Sequence, residues 1–234
     1  RHVLKLRPLK PLHASADAAL RGDVIHKILH AFIARYKDEL PHDAEAQLLE
    51  MAHDFFERHI SWPATRAFWL AKLTRSIPWF IRTETVRRSI ATPNAFEADG
   101  KRRLDGIDFT LHGRADRVDR DEAGALVLYD YKTGQLPSAK IQKYYNKQLP
   151  LLAAIGAASG YEGFPSTSVK EVGYIGLGAD PKQVSDVFNH GDLEEVWAQF
   201  ETLIAEYMDP DKGYAARRAV HEYRWDQDYD NLAR

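Results

Sequence analysis

Within "LYDYKTG", residues 128–134, Asp130 and Lys132 stand two residues apart at the end of an apolar run. Side chains on a strand alternate, so Leu126, Leu128, Asp130 and Lys132 all point the same way. Two leucines buried on that face leave the next two positions as charges beside a core, which needs a partner for each. Upstream, "GRADRVD" places Asp116 on one face with Arg114 and Val118. A turn at "DEAG", residues 121–124, folds this segment back so that Asp116 falls opposite positions 128–130. Cross-strand neighbours lie roughly 5–8 Å apart, and opposed like charges destabilise a sheet unless something neutralises them. A divalent cation does so, and hard carboxylate oxygens suit Mg²⁺ and Mn²⁺. Lys132 beside such an ion can orient or deprotonate a water, or stabilise charge on a phosphate. The chemistry expected is metal-dependent phosphodiester hydrolysis. Against it stands the ordinary reading: Asp-x-Lys before a Gly turn is commonly a solvated strand end, and Asp116 an ion-pair partner of Arg114 or Arg117.

These residues need elements to hold them. Apolar positions from Leu20 to Tyr36 recur at helical spacing, and "DAEAQLLEMAHDFFERHI" reads as a second helix with Asp43 at its N-cap. A third helix opens at Ser61-Trp62-Pro63 and runs to Ile90, kinked or interrupted near Pro78. The pattern then turns to period two in "NAFEADG", "IDFTLHG", "RADRVDR" and "ALVLYDY", four short strands. Helical stretches follow at 138–145 and 146–159, then a strand at "KEVGYIGLG" and a helix from Leu193 to Met208. The fold expected is α/β: a central mixed sheet flanked by helices, with a helical N-terminal third.

With 234 residues, 44% hydrophobic and 28% charged, one sizeable core is expected. Residues 1–20, with Pro8 and Pro11, read as a connector strap from a larger polypeptide, and residues 21–234 as a single domain. A formal charge of −2 means that any nucleic-acid surface must gather its cations locally. "RTETVRRSI", "GKRR" and "AARRAVHEYRW" are such places, or else solvated faces. With no cysteine there is no iron–sulfur cluster, zinc ribbon or thiol nucleophile. No apolar run is long enough to span a membrane, and a reducing cytoplasm is the expected compartment. No "GxxxxGK[ST]" occurs, so no ATP site is expected in this chain.

The motifs "GRADRVD", "LYDYKTG" and "QLPLLA", with Gly22 and His26 of "RGDVIHKIL", resemble in order and spacing the RecB-type branch of the PD-(D/E)xK nucleases. The strap and the tail "RWDQDYDNLAR" look most like the C-terminal nuclease domain of bacterial AddB-type helicase–nuclease subunits. The resemblance implies a restriction-endonuclease-like core and a nuclease acting in double-strand break repair and recombination. It implies Asp116, Asp130, the carbonyl of Tyr131 and His26 as ligands of Mg²⁺ or Mn²⁺, and Lys132 as the catalytic lysine. Gln148 would orient the site or contact DNA, and Arg217, Arg218 and Arg224 of the tail would line the strand path. The implied partners are DNA single strands produced by unwinding, the helicase part of a larger polypeptide, and a partner helicase–nuclease subunit. Where that family often has Tyr, this chain has Leu152, with Tyr144 or Tyr145 as candidates to stand in. A catalytically weak nuclease-like DNA-binding or scaffolding module is the alternative that Leu152 favours. His26 and His30 also form an i, i+4 pair able to bind zinc, though no Glu stands in the general-base position. Glu84 and Glu97 are either ligands of a second metal or solvated residues.

Overall fold

The computed structural model describes residues 17–187 and 190–213. The order is α1 (Ala18–Arg35), α2 (Ala44–His59), α3 (Pro63–Ile90), β1 (Thr92–Arg103), β2 (Thr110–Arg120), β3 (Leu126–Lys132), α4 (Ala139–Tyr144), α5 (Gln148–Ala158), β4 (Val169–Gly176), β5 (Lys182–Val187) and α6 (His190–Met208). Contacts divide the chain into a unit of Ala16–Gln199 and a unit of Arg1–Ser15 with Phe200–Arg234. The first unit carries the sheet and α1 to α5. Among the described residues, the second contains the last turns of α6.

The five strands lie in sequence order, antiparallel except for the parallel β3–β4 pair. This is the mixed α/β sheet expected. Its two faces bury different helices. Val127, Tyr129 and Tyr131 pack with α1, α2 and α3, whereas Leu126 and Leu128 pack with α5 and Leu193 of α6. Six consecutive residues of β3, Leu126 to Tyr131, are buried, as befits a central strand covered on both sides.

Several elements differ from the expectations. α1 starts at Ala18, capped by the Asp17 side chain, which accepts the Leu20 N–H at 2.8 Å. The expected strap of residues 1–20 therefore gives up its last four positions to that cap and first turn; residues 1–16 lie outside the described set. Asp43 occupies the cap position of α2, but its carboxylate accepts from the Gln47 side chain instead of a backbone N–H. α3 runs unbroken for 28 residues with Pro78 inside it. The "TLHG" of "IDFTLHG" and the whole of "RADRVDR" form one strand, β2, because Gly113 continues it instead of ending it, while residues 107–109 fall in the preceding turn. Gly113 and Gly100 pair across β1 and β2, and α5 lies directly on them. A Cβ at Gly113 would come within 2.6 Å of Leu152, and one at Gly100 within 2.7 Å of Ile155 and Tyr161, so both glycines serve a close helix–sheet approach. β5 was not foreseen; its half-exposed pattern carries little period-two signal.

The sheet is kinked where it matters. Ala115 and Val118, three residues apart, pack into the same core cluster, and so do Ala95 and Ala98 in β1. Regular alternation would send each pair to opposite faces, so the pleat slips by one residue in both strands. The ladder skips the residues at the slip, Glu97 and Asp116, and Glu97 has φ of 49°. The expected common face of Arg114, Asp116 and Val118 is therefore broken: Val118 is in the core, and Arg114 lies exposed against Glu97.

Candidate active site

Pairing of β2 with β3 ends at Arg117–Tyr129, while β3 continues beside β4 as far as Lys132–Gly176. The last residues of β3 thus lose their β2 partner and must satisfy their backbone otherwise. The Tyr131 N–H donates to Oδ2 of Asp116 at 3.0 Å. The Tyr131 carbonyl accepts from Nε2 of His26 on α1 at 2.7 Å, which leaves Nδ1 of the same ring 3.4 Å from Oδ2 of Asp116. Arg21 ties α1 to the end of β3 by donating to the Thr133 carbonyl, and a Cβ at Gly22 would make only an ordinary contact with Thr133 Oγ1, at 3.6 Å.

Asp130, 2% exposed, is held from two sides. Its Oδ1 accepts from Gln148 Nε2 at 2.8 Å, at the start of α5. Its Oδ2 lies 2.6 Å from the Lys132 ammonium, an ion pair whose angle falls outside hydrogen bonding, so this buried oxygen has no hydrogen-bond donor. Lys132 also stands 3.5 Å from Oε1 of Gln148 and 5.6 Å from the centre of the Tyr174 ring. Tyr174 pairs with Asp130 along β4 and donates to Oδ1 of Asn146 at 3.3 Å.

Electrostatically the acids compete. Burial, and then the charge of Asp130, push the Asp116 carboxyl up to about 6, with Glu97 adding to them; His26 and the Tyr131 N–H pull the other way. The carboxylates of Asp116 and Glu97 and a ring nitrogen of His26 lie within 4.8 Å of one another. Asp130 stands outside that trio. Glu97 is therefore placed beside the site, with its side chain 35% exposed and ion-paired to Arg114 at 3.0 Å. Glu84, the other acid in question, is far from solvent: it is fully buried and binds Arg117, Arg87 and Arg88. Burial raises its carboxyl, but Arg117 above all outweighs that and holds it at about 2. Arg117 is thus committed to Glu84 and Asp119, and donates to the Tyr131 hydroxyl at 3.3 Å, so it is no partner of Asp116.

His30 does not join His26. It stacks on Phe96 at 4.7 Å, while His26 is grouped with Glu97 and Asp116. Leu152 is core, 6% exposed against Gly113, and Tyr144 and Tyr145 are exposed on α4 and just beyond it. The aromatic ring near Lys132 is that of Tyr174, from a strand whose parallel pairing no local pattern announces. "RTETVRRSI" is not a basic path either, since Arg87 is buried and Arg88 is ion-paired to Glu84. Arg217, Arg218 and Arg224 lie outside the described residues.

The donors fit a hard divalent cation. Buried Oδ2 of Asp130 lacks a donor, the Tyr131 carbonyl is turned out of the ladder, and one further carboxylate, Glu97, and one imidazole, His26, lie beside Asp116. Oxygen-rich sets with one imidazole suit Mg²⁺ or Mn²⁺.

A model of the PD-(D/E)XK nuclease superfamily matches residues 1–231, and the chain belongs to that superfamily. An uncharacterized protein of Rickettsia bellii is 28% identical over 140 residues, 59% of this chain and 17% of that protein. Another, of Rickettsia typhi, is 26% identical over 168 residues, 68% of this chain and 19% of that protein. The chain spans less than a fifth of the length of these relatives. The crystal structure of SSO0001 covers 82% of this chain and 79% of its own at 12% identity, with a TM-score of 0.32. Among the described residues no helix is long and apolar enough to cross a membrane.

Proposed function

We propose that this chain is a metal-dependent deoxyribonuclease domain of a RecB-type helicase–nuclease, most like the AddB nuclease domain, cutting single strands released by unwinding during double-strand break repair in the cytoplasm. The helicase part and a partner subunit would supply the motor. The observation that carries the reading is the Lys132 ammonium 2.6 Å from Asp130, at the place where Asp116 and Tyr131 hold the opened sheet edge. Asp116, Asp130, the Tyr131 carbonyl and His26 would hold Mg²⁺ or Mn²⁺. Such a cation supplies charge against the phosphate and a more acidic bound water. Lys132, 30% exposed, presents a cation from the same edge to charge building on the phosphate. Gln148 keeps the Asp130 carboxylate and Lys132 in one arrangement, which preserves the orientation of both.

A second reading, a nuclease-like module that binds DNA with weak or lost catalysis, is favoured by Leu152, which puts a core leucine where a tyrosine is common in that family. Tyr174 weighs against it by placing an aromatic ring beside Lys132. Incubating the protein with end-labelled single-stranded DNA and Mn²⁺ tests the choice. Cleavage that Asp130→Ala and Lys132→Ala abolish supports the nuclease; DNA binding by the wild type without any cleavage supports the module.

A further inference from the structure

Between Asp130 and Glu162 the chain has no acidic residue, and it carries Lys140, Lys143 and Lys147 there besides Lys132. This stretch includes α4, six residues long, none of them fully buried and only Ile141 and Gln142 half-buried. Its exposed positions have no packing reason to carry aromatics. Yet Tyr144 is 61% exposed and the following Tyr145 49%. Lys140, Lys143 and Tyr144, at i, i+3 and i+4, share one helix face, and Lys143 Nζ lies 5.3 Å from the Tyr144 ring centre. A surface that joins several cations to solvent-exposed aromatic rings is the kind that tracks a phosphate backbone and stacks unpaired bases.

Its place in the fold ties it to the catalytic edge. Asn146, between Tyr145 and Lys147, accepts from the Tyr174 hydroxyl and from the Gln148 N–H. Gln148 in turn holds Asp130. Tyr144 and Gln148 are four positions apart, so the two lie within about 14 Å of each other. We infer that Tyr144 and Tyr145, flanked by Lys140, Lys143 and Lys147, form a stacking platform that receives single-stranded DNA next to the site. This rests on the nuclease reading for its biological sense, but its binding chemistry does not depend on catalysis. A duplex, whose bases are already stacked and hidden, would gain little from the tyrosines.

The test is fluorescence anisotropy of labelled oligodeoxythymidylate with the full chain in metal-free buffer, so that no cleavage intervenes. Tyr144→Ala combined with Tyr145→Ala should weaken binding about tenfold or more, the scale of one lost base stack. Tyr144→Phe with Tyr145→Phe should restore it, because stacking needs the ring and not the hydroxyl. Lys140→Ala with Lys143→Ala should flatten the salt dependence by about 1.4 logarithmic units, two phosphates at 0.7 each. Duplex binding by the tyrosine variants should stay near that of the wild type. Wild-type oligonucleotide affinity in the doubly truncated variant, or an equal loss for duplex, overturns the platform. Circular dichroism of each variant should match the wild type, since the substituted positions are exposed. If the wild type binds through these residues but cuts nothing with Mn²⁺, the platform stands and the nuclease reading falls; cleavage with no tyrosine dependence of binding does the reverse.

Discussion

The carboxylate of Asp116 accepts the main-chain N–H of Tyr131 at 3.0 Å, at the step where β2 parts from β3. A side chain here takes over a ladder bond. The same parting frees the Tyr131 carbonyl, which His26 reaches at 2.7 Å. The open edge begins beside the slip at Glu97 and Asp116, where both strands lose alternation together.

The lysine and the acid should separate in their effects. Asp130→Ala should abolish cleavage and weaken Mn²⁺ binding. Lys132→Ala should abolish cleavage as well, yet leave Mn²⁺ affinity equal or tighter, because a positive charge 2.6 Å from the acid is gone. Calorimetric titration of Mn²⁺ and a gel assay on both variants check this. Cleavage at the wild-type rate by Lys132→Ala would make the lysine an ordinary strand end.

Asp116 should make the metal-free fold less stable as pH rises. Its carboxyl sits at about 6 in the fold and near 4 when unfolded, so between those values the native state binds more protons. Stability contributed by the protonated acid is complete below about pH 4 and lost through about pH 6. At pH 8 Asp116→Asn should thus be more stable than the wild type, by about 1–3 kcal/mol. Urea unfolding of both proteins reads it. Mg²⁺ should raise the stability of the wild type more than that of the variant.

The buried network behind the site should tolerate no single deletion. Glu84→Ala leaves Arg117, fully buried, with Asp119 as its remaining carboxylate partner, and frees Arg87 and Arg88 from their acid. A loss of about 3–5 kcal/mol is expected. Because Arg117 also donates to the Tyr131 hydroxyl, Mn²⁺ affinity measured well below the unfolding transition should fall too. A stability change under 1 kcal/mol would contradict this account.

Tyr174 should act through its ring more than its hydroxyl. Tyr174→Phe removes the bond to Asn146 but keeps the aromatic face 5.6 Å from Lys132, and cleavage should drop no more than about threefold. Tyr174→Leu removes both and should cost about tenfold in rate, on the scale of a partly desolvated cation–π contact. Equal rates in the two variants would assign the effect to the hydroxyl or to packing.

Much of this protein was legible one residue at a time. Helical spacing placed α1 and α2, period two placed β3, and the turn before it has its Gly124 at φ 86°. Asp116, Asp130 and Lys132 could be named from local patterns, because charges at the end of an apolar strand announce themselves, whereas His26 and Gln148 came only from the family resemblance. What no local pattern encodes is a relation between strands. The merging of two expected strands across Gly113 depended on α5 lying over that glycine. The slip that brings Glu97 beside His26 and Asp116 depends on both strands breaking alternation at one level. Tyr174 stands near Lys132 only because β4 joins β3 in parallel, after a crossover of more than thirty residues. Side-chain type and period are properties of the sequence and set which residues can do chemistry. Register and packing are set by the balance of contacts over the whole fold, and these decided which of those residues meet.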